Sequence, residues 1–185
     1  SEVDQAWVER TNIDVTARLQ EIDRNLQLAK TSVRKDDIRR CHMEKGKLLH
    51  KMGEYQEAAK SYARAKDYVS TSAHSVEVVQ SVFVASLDNR NFKQASYYLN
   101  RMDPSTLTKK KFCAASGILS MVAGDFEGAA LHFLHCDEGN IASFKEVISG
   151  EDIALYGTLC AAASSSFVEV QRNVIENKHF RPLLE

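Results

Sequence analysis

The sequence predicts an all-α fold: a right-handed solenoid of paired helices led by a long N-terminal helix. Three observations predict it. The 185 residues hold only two prolines, Pro104 and Pro182, among many Ala, Leu, Lys, Glu and Gln, a composition that favours helix. Apolar residues recur at helical rather than alternating spacing. One pattern also recurs three times: a turn residue, an aromatic, an Ala three residues on, and an aromatic or Leu four beyond that. It reads Gly53-Glu54-Tyr55 with Ala58 and Tyr62, then Asn91-Phe92 with Ala95 and Leu99, then Gly124-Asp125-Phe126 with Ala129 and Phe133. The anchors Tyr55, Phe92 and Phe126 are 37 and 34 residues apart.

That is the period of a helix–turn–helix repeat of the tetratricopeptide (TPR) type, about 34 residues. Residues 1–30 read as one long helix. Val8, Val15, Ile22 and Ala29 lie seven apart, with Leu19 and Leu26 between them. Such a stripe wants a partner helix, either this chain's own repeats or another subunit. In the first repeat, helix A spans about 34–52 after Asp36-Asp37, which suit a helix start, and helix B about 55–68. Gly46 lies where the two helices of the repeat come closest, with Ala58 in the same role on the other helix, and Tyr55, Tyr62 and Ala65 fall on one face of that helix. In the second repeat, helix A spans about 74–88 after the capping-rich Ser70-Thr71-Ser72, with Val76, Val79, Val82, Phe83 and Leu87 as its buried stripe; helix B spans about 91–102. Asp103-Pro104 starts the third pair, which carries Gly117 seven residues before the turn Gly124 and ends near 136. Residues 31–139 are thus the repeats.

After Gly139-Asn140 the period lapses. Ser149-Gly150-Glu151-Asp152 resembles a capping box. It opens a helix over Ile153–Ala163 with Tyr156, Leu159 and Cys160 inward. Ser164-Ser165-Ser166 breaks it, and a final amphipathic helix spans Phe167–Ile175 with Val168, Val170, Val174 and Ile175 inward.

The bulk properties bound the function. A chain 44% hydrophobic and 26% charged can build a core. A net charge of −1 argues against a dedicated nucleic-acid binder. Cys41, Cys113, Cys136 and Cys160 are widely spaced without a CxxC pair and read as reduced, buried thiols of a nuclear or cytosolic protein. No run reaches the ~18 apolar residues of a membrane span, and the start is not a signal peptide. The chain lacks an initiating Met and breaks off in an apolar segment, Arg181 to Glu185, so a longer protein is expected.

Chemistry is mostly missing. His132, His135 and Cys136 are the densest metal-capable cluster, but Phe133 and Cys136 hold core positions, which turns His132 outward and leaves no metal site expected. Arg39-Arg40 and Lys109-Lys110-Lys111 read as solvated helix faces, with an acidic protein partner as the alternative. The positions of a chaperone-tail clamp hold Met43, Lys47, Ser81, Lys111 and Ala115, and only Lys111 has the type required, which excludes such a clamp. No phosphate loop, HExxH or GxSxG motif is present, so neither catalysis nor a cofactor is expected. The candidate site is a set of packing positions — Gly46, Gly53, Tyr55, Ala58, Tyr62, Phe92, Ala95, Gly117, Gly124, Phe126, Ala129 and Phe133 — with Arg39, Arg40 and Lys109 to Lys111 as partner contacts.

The segment from Ile38-Arg39 through Gly46, Gly53, Ala58 and Tyr62 to Ala63-Arg64-Ala65-Lys66-Asp67-Tyr68, with His74 beyond it, resembles the family of COP9 signalosome subunit 1. Ile153-Ala154-Leu155-Tyr156-Gly157-Thr158-Leu159-Cys160-Ala161 looks like that family's Tyr-Gly-x-Leu-Cys-Ala helix, and Val170 to Ile175 with Phe180 and Leu184-Glu185 like the segment after it. The likeness starts near Asp4-Gln5-Ala6-Trp7-Val8 and covers nearly the whole chain. The sequence departs from the family at Val69 and around Cys41 to Lys51.

The resemblance implies a non-catalytic scaffold arm of a complex that removes a ubiquitin-like modifier from cullins, nuclear and cytoplasmic. Its partners would be other signalosome subunits and cullin–RING ligase components, with no nucleic acid and no membrane. It also implies that residues 140–185 open a helical PCI region whose winged helix lies beyond them. The rivals are a paralogous proteasome-lid subunit, an RNA-associated PCI protein of translation initiation, and, more distantly, a hydrolase.

Overall fold

The computed structural model describes residues 4–101, 109–136, 148–178 and 180–181. Among these every regular element is helical and none is a strand. The chain forms two compact units, Ser1–Tyr98 and Leu99–Glu185.

The first unit opens with α1 (Gln5–Thr31), where Asp4 caps the helix by accepting from the Trp7 N–H at 3.0 Å. Then come α2 (Lys35–Lys51), α3 (Tyr55–Ala65), a 3₁₀ turn (Lys66–Tyr68), α4 (Ser72–Asp88) and α5 (Phe92–Leu99). Thr71 caps α4 by accepting from the His74 N–H at 3.2 Å. Consecutive helices α1 to α4 pack on one another. Met43, Ala58, Tyr62, Val78 and Val82 make the main cluster, and Leu26, Ala29 and Ile38 glue α1 to α2.

The heptad stripe of α1 is therefore divided. Ile22, Leu26 and Ala29 are buried, whereas Val8, Val15 and Leu19 are half-buried. The cause is length: 27 residues against 17, about 40 Å against about 25 Å at 1.5 Å per residue. Arg18 and Lys51 line one recess, so α2 ends beside Arg18 and the first part of α1 runs on past it.

The second unit contains α6 (Lys109–Val122), α7 (Phe126–Leu134), α8 (Gly150–Ser164) and α9 (Phe167–Val170), which runs into one π turn, Gln171–Ile175. Helix α7 packs on both α6 and α8. Ala129, Phe133, Ile153, Val174 and Phe180 centre the core. Ser149 caps α8 by accepting from the Asp152 N–H at 3.1 Å. The full reciprocal capping box lies instead at α9: Ser166 accepts from the Glu169 N–H, and Glu169 accepts from the Ser166 N–H at 2.8 Å. The predicted signals Asp103-Pro104 and Gly139-Asn140 lie outside the described residues.

Four helices end in the same device. A residue with positive φ follows the helix, and the next N–H bonds back to the carbonyl five residues earlier. The left-handed residues are Val33 (φ 53), Gly53 (φ 81), Arg90 (φ 54) and Gly124 (φ 80). The returning bonds run Arg34 to Ala29, Glu54 to Leu49, Asn91 to Ser86 and Asp125 to Ser120, at 2.8–3.0 Å. Gly53, Arg90 and Gly124 repeat at the spacing of the aromatic anchors, so Arg90 rather than Asn91 is the register equivalent of the turn glycines.

Several sequence expectations need correction. Phe126 is 46% exposed, because it is the first residue of α7, one turn before the packed Ala129 and Ala130. Tyr55 and Phe92 are half-buried at the same position of their helices. Gly53 and Gly124 are not packing residues: an added Cβ would meet nothing within 4 Å, and their role is the left-handed turn. Leu159, Val168 and Ile175 face solvent. The buried side of α8 is its small-residue stripe, Ala154, Gly157, Cys160 and Ala161, and small side chains let α7 approach closely. A Cβ on Gly157 would lie 3.0 Å from both Phe133 and Phe180.

Candidate partner-binding surface

Residues at spacings of four, three and four share a helix face, and on α2 these are Arg39, Met43, Gly46 and His50. Met43 and Gly46 are buried. Gly46 lies flat against the Tyr62 ring: an added Cβ would lie 2.5 Å from Cδ1 and 2.8 Å from Cζ. Gly117 and Phe133 repeat the arrangement in the second unit, at 2.6–2.8 Å. Ala58, Ala95 and Ala129 are wholly enclosed. The interior of each hairpin is thus consumed by helix-to-helix packing.

Arg39 belongs to that interior too, which overturns its reading as a partner contact. Its side chain is 8% exposed. It donates to Asp36 from Nε at 3.1 Å and pairs with it through a terminal nitrogen at 3.0 Å. Its other terminal nitrogen reaches Glu77 of α4 at 3.3 Å. Glu77 also takes Lys47 at 3.4 Å, His50 pairs with Asp88 at 2.6 Å, and His74 approaches Asp36 at 3.9 Å. These bridges tie α2 to α4, and Arg39, the most enclosed, is charge-compensated on both sides, as a buried cation requires. The signal was in the sequence: Arg39 sits on the Met43 and Gly46 face, not opposite it.

Arg40 is the cation that does face water, 63% exposed and 3.7 Å from Asp37. The side chains of Lys109, Lys110 and Lys111 lie outside the described residues, although the backbone there starts α6. Of the clamp positions, Met43 and Ala115 are buried and Lys47 is engaged by Glu77.

The histidine pair at the end of α7 is not built as expected. His132 is half-buried rather than outward. Burial first, and the neighbouring His135 second, push its imidazole below the ordinary histidine range. His135 contacts the Leu131 carbonyl through Nδ1 at 2.6 Å, and the Cys136 thiol points at the His132 carbonyl. Among the described residues no three metal-capable groups come together, and no helix is long and apolar enough to cross a membrane. Burial raises the Cys41 and Cys160 thiols above their ordinary value, which disfavours the reactive thiolate.

What remains outside is apolar in places. On α1, Trp7 and Ile13 are 60% and 67% exposed. On the second unit, Leu155 and Leu159, one turn apart on α8, are more than half exposed, as are Phe167 and Val168 of α9. Neighbouring large apolar side chains left in water are a common mark of a protein-contact surface. Sequence reasoning counted Leu159 and Val168 as inward-facing because of their helical spacing, and assigned no surface role to Trp7, Ile13, Leu155 or Phe167.

The chain matches the family described as 26S proteasome subunit RPN7 over residues 4–173. It is 30% identical over 188 residues to COP9 signalosome complex subunit 1 of Arabidopsis thaliana, covering 99% of this chain and 43% of that protein. The subunit 1 of Emericella nidulans is 28% identical over 190 residues, covering 99% and 38%. Subunit 1b of Drosophila melanogaster is 28% identical over 198 residues, covering 98% and 37%. The chain therefore spans about 40% of the length of these relatives.

Proposed function

The chain belongs to the family of the 26S proteasome subunit RPN7, and from that premise we propose that it is the non-catalytic helical arm of a COP9 signalosome subunit 1. The observation that carries this reading is likeness over nearly its whole length to several proteins of that name. The geometry agrees in kind. Paired helices spend their apolar faces on one another, so the work left to the surface is docking. In this reading residues 31–139 are the repeat arm and residues 140–185 open a PCI region. The assembled complex removes a ubiquitin-like modifier from cullins with chemistry supplied by another subunit. The partners are other signalosome subunits and cullin–RING ligase components, in nucleus and cytoplasm.

The test is capture. Tagged residues 1–185 are mixed at low salt with purified signalosome subunits, with cullin–RING ligase components and with proteasome-lid subunits. Retention of signalosome subunits supports the proposal. Retention of lid subunits alone transfers the chain to the second reading, a proteasome-lid subunit, which the family description favours. Binding to none refutes the arm. An RNA-associated role is not supported: it needs Arg39 in a basic strip, and Arg39 is buried and paired.

A further inference from the structure

Away from the α2–α4 strip, the first unit encloses an open cavity of about 460 Å³ where α1, α2, α3 and the 3₁₀ turn meet. Its walls carry more cations than carboxylates, in a chain of net charge −1. Lys30 comes from α1, Lys45 from α2 and Arg64 from α3, against Asp23 of α1 and Asp67 of the turn. Lys45 and Asp23 neutralise each other at 2.6 Å. Lys30 and Arg64 have no ion-pair partner among the described residues. Against the remaining Asp67, Lys30 and Arg64 leave cations in excess at the recess, and the positive potential is focused there.

His42 gives the independent observation. Its imidazole lines the cavity and is 4% exposed. It stacks on Tyr68 with ring centroids 6.2 Å apart and planes at 22°. Its Nδ1 is buried and has no hydrogen-bond partner. A buried polar atom left unpaired is costly and rare in native proteins. Burial first, then Lys30, Arg64 and Lys45, hold the imidazole below its ordinary value, with Asp23 opposing. The ring thus senses the same positive field that an anion would cancel.

We propose that this cavity is a binding site for a phosphate-type oxyanion, clamped by Lys30 and Arg64 and accepting a hydrogen bond from the His42 imidazole. Arginine's planar fork suits a tetrahedral oxyanion, and lysine adds a point charge. The anion stabilises the protonated ring, in which both nitrogens are donors, so binding takes up a proton. The inference does not depend on the signalosome reading. The phosphate comes either from a free ion or from a phosphorylated side chain of a protein partner; the chemistry at the cavity is the same.

The experiment is an NMR titration of the His42 ring, with calorimetry, on the full 185-residue chain. Three probes are used at matched ionic strength: sulfate, inorganic phosphate and a phosphoserine peptide. Sulfate keeps its charge from pH 5 to 8, so any pH dependence of its binding belongs to the protein. The His42 ring is expected to titrate higher with sulfate bound, and sulfate affinity to rise as pH falls from 7.5 to 6. Arg64→Gln and Lys30→Gln are each expected to weaken binding about tenfold, the scale of one charge-assisted hydrogen bond. Both residues are exposed, and a matched melting curve confirms folding. His42→Gln is expected to abolish the pH dependence. Tighter binding of the peptide than of phosphate assigns the site to a partner's phosphorylated residue; equal or weaker binding assigns it to a free ion. A His42 resonance unmoved by all three probes, or affinities unchanged in Arg64→Gln, overturns the proposal.

Discussion

Gly46→Ala should destabilise the first unit even though it removes a glycine from the middle of a helix. In an unhindered helix that substitution is favourable by about 0.5–1 kcal/mol. Here the new Cβ would sit 2.5 Å from Cδ1 and 2.8 Å from Cζ of Tyr62, where carbon contacts are optimal near about 3.5–4.0 Å. The ring must retreat by roughly 1 Å. It has little room to do so, being 3% exposed in a cluster with Met43, Ala58 and Val82. Overpacking of this kind costs about 1–3 kcal/mol, so the net loss should be about 1–2 kcal/mol. For a chain of this size that lowers Tm by about 2–8 °C, read by thermal or urea unfolding followed by circular dichroism. A double-mutant cycle isolates the cause. In a Tyr62→Leu background the alanine should become neutral or stabilising, giving a coupling of about 1 kcal/mol or more. A Gly46→Ala protein more stable than the parent, or equal losses in both backgrounds, refutes the packing argument. Gly117→Ala against Phe133 should behave alike, since that ring is wholly buried.

Val33→Gly and Arg90→Gly should each stabilise, by up to about 1 kcal/mol. They relieve a left-handed strain of roughly 1–2 kcal/mol, less the entropy of the added glycine; a fall in the urea midpoint would contradict the assigned φ values. Arg39→Met should cost about 1–2 kcal/mol, because Asp36 and Glu77 lose their shared cation but are exposed enough to rehydrate. Lys47→Ala on the same Glu77 should change stability by less than about 1 kcal/mol, so equal losses would refute the ranking. For His42 the bound-proton balance sets the sign. Its folded value is depressed below 6.5, so between the two values the unfolded chain binds more protons. Stability should hold above pH 6.5 and fall as pH drops below it, in urea midpoints at pH 7.5 and 5.5. His42→Gln should flatten that slope but leave a part of the same sign from His132.

The hairpins were legible because their logic is local. Gly46 and Gly117 each stand seven residues before a turn glycine, so period alone located the close approach of both hairpins, while the rings they meet, Tyr62 and Phe133, came from the structure. Directions at the rims were less legible. Leu159 and Val168 have helical spacing like any core residue, and what decides the exposure of Leu159 is that α7 packs on the small stripe of α8 instead. Arg39 misled for the opposite reason: its helix face marked it as a core position, but the counter-charge that stabilises a cation there, Glu77, arrives from 38 residues further on, which no local pattern encodes. Arg90 escaped notice because only a glycine advertises a left-handed residue.

The middle repeat shows how much freedom the design allows. At the register of Gly46 and Gly117 it carries Phe83, and at that of Tyr62 and Phe133 it carries Leu99. The small residue of the flanking repeats is replaced there by a large one, so the period keeps these positions while their residues change. Phe83 and Leu99 are both buried, so the positions stay interior even where the glycine-on-ring arrangement is absent. A repeat protein can therefore drift far in sequence while its helix pairs stay in register. The outward residues of α1 and of the outer face of α8 are free to change without disturbing the packed faces.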